Sequence, residues 1–250
     1  MKKRFRRLIL GGAILLVIAV ICFVIWAETP SQPGSAALAA LQSDSLVQVI
    51  NHGNYISFEP TGPTSTTAFI FYPGGHVDFR AYSPILRRIA EQGYLVILLR
   101  VNLNLAFFDI EAGAPALAAF PQVTHWVVGG HSLGGVAAAY FAHNHAEIDG
   151  IVFWASYPAD GRLRESGIRM LSIYGTEDGS LDDGSKIEQY KAFQPADTEF
   201  IVIQGGNHGQ FGDYGPQPGD NPATISAESQ WQQVTDGVVR FLDVIDENDR

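Results

Sequence analysis

The chain has 250 residues, 46% of them hydrophobic and 17% charged, with 26 Gly, 13 Pro and one Cys, a composition that suits one sizeable folded domain and excludes disorder over most of its length. Formal net charge is −10, but Lys2, Lys3, Arg4, Arg6 and Arg7 supply five of the 16 positive charges, and the first acidic residue is Glu28. Residues 28–250 therefore carry 11 positive against 26 negative charges, which argues against a nucleic-acid partner and against long polyanionic substrates.

From Leu8 to Trp26 run 19 residues without a charge, LILGGAILLVIAVICFVIW. As a helix rising about 1.5 Å per residue they span roughly the 30 Å of a bilayer core. Bulky Ile25 and Trp26 before Ala27 make a poor cleavage site, so the expectation is an uncleaved anchor, with release after signal cleavage as the alternative. The five basic residues ahead of it should stay cytoplasmic and place the rest of the chain across the membrane. Cys22 lies inside this segment, so the expected extracytoplasmic part has no thiol for a disulfide, a thiolate metal site or a cysteine nucleophile.

Three regions follow: residues 1–26 as basic end plus anchor, 27–44 as linker, and 45–250 as the folded domain. Within the linker, AETPSQPGS (27–35) reads as a tether that lifts the domain off the membrane, followed by a short Ala-rich helix. Two alternating apolar runs, Leu46 to Ile50 and Tyr55 to Phe58, join at His52-Gly53-Asn54 as a hairpin. Short buried strands are then expected at Ala68 to Tyr72, Tyr94 to Leu99, Trp126 to Gly129, Gly150 to Trp154, Met170 to Tyr174 and Phe200 to Ile203. Helices are expected at Tyr82 to Glu91, Ile110 to Ala119, Leu133 to His145, Lys186 to Phe193 and Ser226 to Ile245. This alternation defines an α/β fold, a mostly parallel central sheet with helices on both faces, whose useful loops lie at the carboxyl ends of the strands.

Directly after the strand ending at Gly129 stands Gly130-His131-Ser132-Leu133-Gly134, with a Gly/Ala-rich helix behind it. Gly-x-Ser-x-Gly alone is a weak signal; between strand and helix it describes a tight reversal that presents Ser132 at its tip as a nucleophile. The helix that begins there turns free N–H groups toward the place where an oxyanion would form. Serine hydrolases of this geometry follow the chain order serine, acid, histidine. Of the seven histidines, only His208 lies beyond the later strands, in the glycine-rich loop GGNHGQFG, and it is the candidate base. Asp178, in Gly175-Thr176-Glu177-Asp178-Gly179 after a strand, is the candidate acid, with adjacent Glu177 as its substitute; Asp182 and Asp183 are expected to cap the next helix. Leu133 supplies one oxyanion donor, and Gly74-Gly75-His76, after Pro73 at another strand end, is expected to supply the second from Gly75 or His76. His143 and His145, two apart at a helix end, do not share a face and are read as dipole partners rather than metal ligands.

These residues in this order resemble the α/β-hydrolase superfamily, and more narrowly its small dienelactone-hydrolase-like branch, through YPGGHVDFRAY (72–82), GGHSLGG, YGTEDG and GGNHGQFGDYG. The resemblance covers most of residues 45–246. It implies the fold, hydrolase chemistry, and Ser132, Asp178 and His208 as nucleophile, acid and base. Dienelactone hydrolase itself uses a cysteine nucleophile where this chain has serine, so the namesake substrate is not carried over.

Only about 15 residues separate Trp154 from Met170, too few for a cap domain. Loops Val101 to Phe108 and Tyr157 to Arg164 are the expected roof, with His131, Phe107, Phe108, Tyr157 and Phe211 as pocket walls. The sequence thus points to a membrane-anchored serine hydrolase of small-molecule carboxylic esters or thioesters, without metal or organic cofactor. The alternatives are an acyltransferase using the same triad and a non-catalytic scaffold of the same fold.

Overall fold

The computed structural model describes residues 2–181 and 185–247; Asp182 and Asp183, the expected helix caps, lie outside the described residues. Helix α1 (Lys2–Ala27) contains a segment, Ile9–Ala27, long and apolar enough to cross a membrane. A short helix α2 (Ser35–Ala40) follows, then strands β1 (Val47–Asn51) and β2 (Tyr55–Pro60) as a hairpin with Gly53 at φ +89°. From β3 (Thr67–Tyr72) onward strands alternate with helices: α3 (Ser83–Glu91), β4 (Leu95–Leu99), α4 (Ala114–Ala119), β5 (His125–His131), α5 (Leu133–Asn144), β6 (Ile148–Trp154), β7 (Arg169–Gly175), α6 (Ser185–Tyr190), β8 (Glu199–Ile203) and α7 (Ala227–Glu247).

Among the described residues eight strands form one sheet in the order β1-β2-β4-β3-β5-β6-β7-β8, antiparallel at β1-β2 and β2-β4 and parallel elsewhere. The central strands are nearly continuous runs of β-branched, leucine and aromatic residues because both of their faces are covered. The two-residue period sorts them. Phe69, Phe71, Val127, Val152 and Trp154 pack with Ile85 and Ile89 of α3 and with Val234, Val238 and Phe241 of α7. Ala68, Ile70, Tyr72, Val128, Ile151 and Phe153 pack on the opposite face with Ala137, Ala138 and Phe141 of α5.

The chain leaves β3 toward β4 on one side and reaches β5 on the other, so the strand order reverses between β3 and β5. A crevice opens at the carboxyl ends of strands at such a point. The turn after β3 carries Pro73-Gly74-Gly75-His76, and the turn after β5 carries Ser132.

Two expectations are revised. Residues 27–40 do not stand off as a tether: Ser31 bridges to Val77, Gly34 N–H donates to Asp213 O at 2.7 Å, Ala37 N–H donates to Asp213 Oδ2 at 2.9 Å, and Ala27 and Ala37 are buried. The expected helix Ile110–Ala119 begins as a 3₁₀ turn, Ile110–Gly113, and becomes α-helical only at Ala114, where Pro115 takes a first-turn position that needs no N–H. Between β6 and β7 there is a single 3₁₀ turn, Gly161–Leu163, and no cap domain.

Candidate active site

Ser132 occupies φ +52°, ψ −122°, a left-handed conformation costly for a residue with a Cβ. The surroundings impose it. Ser132 N–H donates to Trp154 O at 3.0 Å, and Ser156 Oγ donates to Ser132 O at 2.6 Å, so both backbone groups of Ser132 are tied to β6 and its following loop. Glycine is needed on either side of the turn. A Cβ on Gly130 would stand 2.5 Å from the carbonyl carbon of Gly134, and one on Gly134 would stand 2.3 Å from Pro73 O and 2.4 Å from Tyr72 O. Ser132 remains half-buried at the tip and reachable from solvent.

Asp178 and His208 come together behind it. His208 Nδ1 lies 2.9 Å from Asp178 Oδ2, with both side chains buried. Asp178 Oδ1 accepts the N–H groups of Ser180 at 2.9 Å and Leu181 at 3.1 Å, which fixes the carboxylate in place. Such a carboxylate holds Nδ1 protonated and leaves Nε2 as the ring nitrogen able to accept a proton; Nε2 is buried and has no hydrogen-bond partner among the described residues. The ring of His208 lies 4.4 Å from that of His131, the residue before Ser132, so the candidate base stands alongside the turn. Glu177, the substitute acid, is turned toward Thr176 Oγ1 instead.

The oxyanion turn is narrower than expected. Gly74 N–H donates to the Tyr82 hydroxyl at 3.0 Å, and His76 N–H donates to Asn104 O at 2.8 Å, so neither is free for an oxyanion. Among the described residues Gly75 N–H has no hydrogen-bond partner, and its Cβ position is met at 2.9 Å by Leu133 Cδ2. The backbone amides of Gly75 and Leu133 therefore form the candidate pair.

His131 is not a pocket wall open to substrate but a buried positioning group. Its Nδ1 is 2.9 Å from the Tyr82 hydroxyl. That oxygen also accepts from Gly74 N–H at 3.0 Å, and His131 Nε2 is buried with no hydrogen-bond partner among the described residues. Burial holds the His131 pKa well below the ordinary 6.5, and the charge of neighbouring His208 pushes it further. Burial likewise pushes the Tyr82 hydroxyl well above its usual range.

Phe211 is fully buried, stacked 5.6 Å from His131 and 6.2 Å from Trp154, and serves as core beneath the site rather than as a wall. Tyr157 is half-buried and stacks on Tyr190 at 3.9 Å. Phe107 and Phe108 lie on a 3₁₀ turn that leans against α5 and α1, with Phe107 edge-on to Tyr140; both are exposed.

Sequence reasoning missed the residues that hold the base loop. Asp220 Oδ1 accepts from the N–H groups of Gly179 and His208 at 3.2 Å each, and Oδ2 accepts from Gly209 N–H at 2.7 Å, tying the acid loop to the base loop. Buried Gln230 of α7 makes a two-way bond with the Asn207 backbone, accepting at 3.0 Å and donating at 2.9 Å. In the sequence Asp220 sits in PQPGDNP and reads as an ordinary turn residue.

Residues 68–232 match the model of the alpha/beta hydrolase family, and the chain belongs to that family. The solved structure of esterase B from Lactobacillus rhamnosis is similar over 86% of this chain and 92% of its own, with TM-score 0.60 and 14% identity. That of TT1662 from Thermus thermophilus covers 78% and 98%, with TM-score 0.54 and 12% identity. At these identities the likeness is one of fold. Comparison with curated protein sequences gave no match.

Proposed function

We propose that the protein is a membrane-anchored serine hydrolase that cleaves carboxylic esters or thioesters through an acyl-enzyme. The observation that carries this reading is the buried Asp178–His208 pair, with His208 Nε2 left unbonded, beside a left-handed Ser132 at the switch point of the sheet. Ser132 Oγ attacks the acyl carbon while His208 Nε2 takes its proton. The tetrahedral oxyanion rests on the Gly75 and Leu133 amides, and the proton passes from His208 to the leaving alcohol or thiol. Water repeats the sequence and frees the acid. Asp178 holds the imidazole and stabilises its charged form, while neutral His131 keeps a second positive charge away from it. Apolar Ile9–Ala27 supports the anchor, and the basic residues before it support a cytoplasmic N-terminus with the catalytic domain outside.

The test is fluorophosphonate labelling of the full chain in its membrane beside Ser132→Ala and His208→Ala, followed by a p-nitrophenyl ester series from acetate to long chains. Labelling should vanish in Ser132→Ala, and turnover should fall by about a million-fold in both variants. A folded wild-type protein that neither labels nor turns over would sink the reading. Retention in the membrane after a carbonate wash checks the anchor.

A further inference from the structure

Helix α1 does not end in solvent; it ends on the wall of the candidate site. The indole of Trp26 stacks on His76 with ring centroids 4.3 Å apart and planes 8° from parallel. His76 Nε2 lies 2.7 Å from Trp26 O, and Asn104 Nδ2 donates to Ala27 O at 3.0 Å. Trp26 O also accepts from Thr29 N–H at 3.1 Å and Thr29 Oγ1 at 2.9 Å just beyond the helix, so the body shares in capping the last carbonyls of its own apolar helix. His76 is itself tied to Asn104 by its N–H and directly follows Gly75. One turn back along α1, Phe23 meets Phe108 at 6.1 Å, close to edge-on.

From that contact the turn that carries Phe108 leads back to Leu105, beside Gly75. Phe108 N–H donates to Leu105 O at 3.0 Å, and Leu105 Cδ2 and Leu133 Cδ2 both border the empty Cβ position of Gly75. The path Phe23, Phe108, Leu105, Leu133 thus joins the apolar helix to the two amides assigned to the oxyanion. Phe107 and Phe108 are 43% and 57% exposed, and Trp26 is 47% exposed. Phe23 lies four residues, about 6 Å, before Ala27, so Phe108 is held at the depth of the last turn of α1. Aromatic side chains clustered at the end of a spanning helix sit at the boundary of headgroups and acyl chains. Residues 28–40 lie against the body, which leaves no slack to lift this edge away from the bilayer.

We propose that the substrate is a membrane-resident acyl ester with an uncharged headgroup, taken laterally from the leaflet in which α1 ends. The proposal rests on the reading of Ser132 as nucleophile and of α1 as anchor. The acyl chain lies along Phe108, Leu105 and Leu133, bringing the ester carbonyl to Gly75 and Leu133. A bond forms between Ser132 Oγ and the acyl carbon, the bond to the alcohol oxygen breaks, and the alcohol leaves with the proton that His208 took from Ser132. Water then cleaves the acyl-enzyme and releases a fatty acid, returning a proton to Ser132. The acidic surplus of residues 28–250 disfavours anionic headgroups.

The experiment reconstitutes the full chain in phosphatidylcholine vesicles holding a few mole per cent dioleoylglycerol, with the same ester supplied in a parallel sample only in separate, protein-free vesicles. Fluorophosphonate labelling and p-nitrophenyl butyrate hydrolysis are read in the same vesicles. The expected result is fatty-acid release that rises with the mole fraction of ester in the host bilayer, and release from separate vesicles at least about tenfold slower. Phe108→Asp should lower the rate on bilayer ester relative to butyrate by about tenfold or more, the scale of one lost apolar side-chain contact. If Phe108→Asp does not label, Phe108→Ser, a milder loss of the same contact, carries the same comparison. A labelled enzyme that cleaves butyrate but spares dioleoylglycerol, or takes it equally fast from separate vesicles, overturns the lateral route and leaves the hydrolase standing. An unchanged ratio in the labelled variant does the same. A wild type that neither labels nor cleaves butyrate overturns both.

Discussion

His131 and His208 lie ring to ring, yet their hydrogen bonds give them opposite roles. His208 faces a fixed carboxylate through Nδ1, whereas His131 faces a phenol hydroxyl in a buried apolar setting and stays neutral. The depressed pKa of His131 has a signed consequence for stability. The unfolded chain binds a proton at His131 near the ordinary value of 6.5, and the folded chain does so only at lower pH. The stabilising contribution is therefore complete above that value and is lost as pH falls below it, by about 1.4 kcal/mol per pH unit for one proton. Urea unfolding of His131→Asn between pH 4.5 and 7 should show a slope shallower by about that amount. Equal slopes would mean that His131 is not held neutral by the fold. At this scale the sequence marks the residues set by chain order: one histidine lies late enough to be the base, and one strand-end carboxylate meets it. Tyr82, Asp220 and Gln230 carry no such mark, because each acts through backbone N–H or carbonyl groups brought near only by folding.

The elbow between β5 and α5 shows how an element's sequence is dictated by its neighbours. Gly134 begins a helix where alanine has the better intrinsic propensity, but the carbonyls of Tyr72 and Pro73 occupy the Cβ position. Those carbonyls belong to the end of β3 in mid-sheet and cannot retreat. Gly134→Ala should therefore lose on the order of 1–3 kcal/mol in chemical denaturation, together with most of the labelling at Ser132. Gly62→Ala, with no atom near its Cβ position, should stay within about 0.5 kcal/mol of wild type. The strands were legible to within a residue or two because buried parallel strands write themselves as apolar runs. The tether expected at 27–35 lies on the body instead, since Pro, Gly and Ser describe an irregular path equally well whether it floats or docks, while the Ala-rich helix expected after it is present as α2. Its docking depends on Asp213, far away in sequence, whose two carboxylate oxygens crowd the Cβ position of Gly34.

In the whole molecule, helices on both faces bury the sheet, and α7 reaches from the base loop to the start of β3, where Asp246 accepts from Ser65 and Thr67. Nothing in the apolar pattern of α1 announces that its last turn meets His76 and Asn104. That contact pairs residues 50 to 80 positions apart and is visible only in three dimensions. The left-handed backbone of Ser132 also bears on how firmly the chain is folded. A side chain at such a position costs on the order of 1–3 kcal/mol, part of which glycine would recover after its own larger entropy loss. Ser132→Gly should unfold at higher denaturant, with a gain on the order of 1 kcal/mol, while Ser132→Ala, which retains the Cβ, should not. A chain selected for persistence alone would carry glycine at 132, and under the proposed function the serine there is a stability deficit retained for turnover.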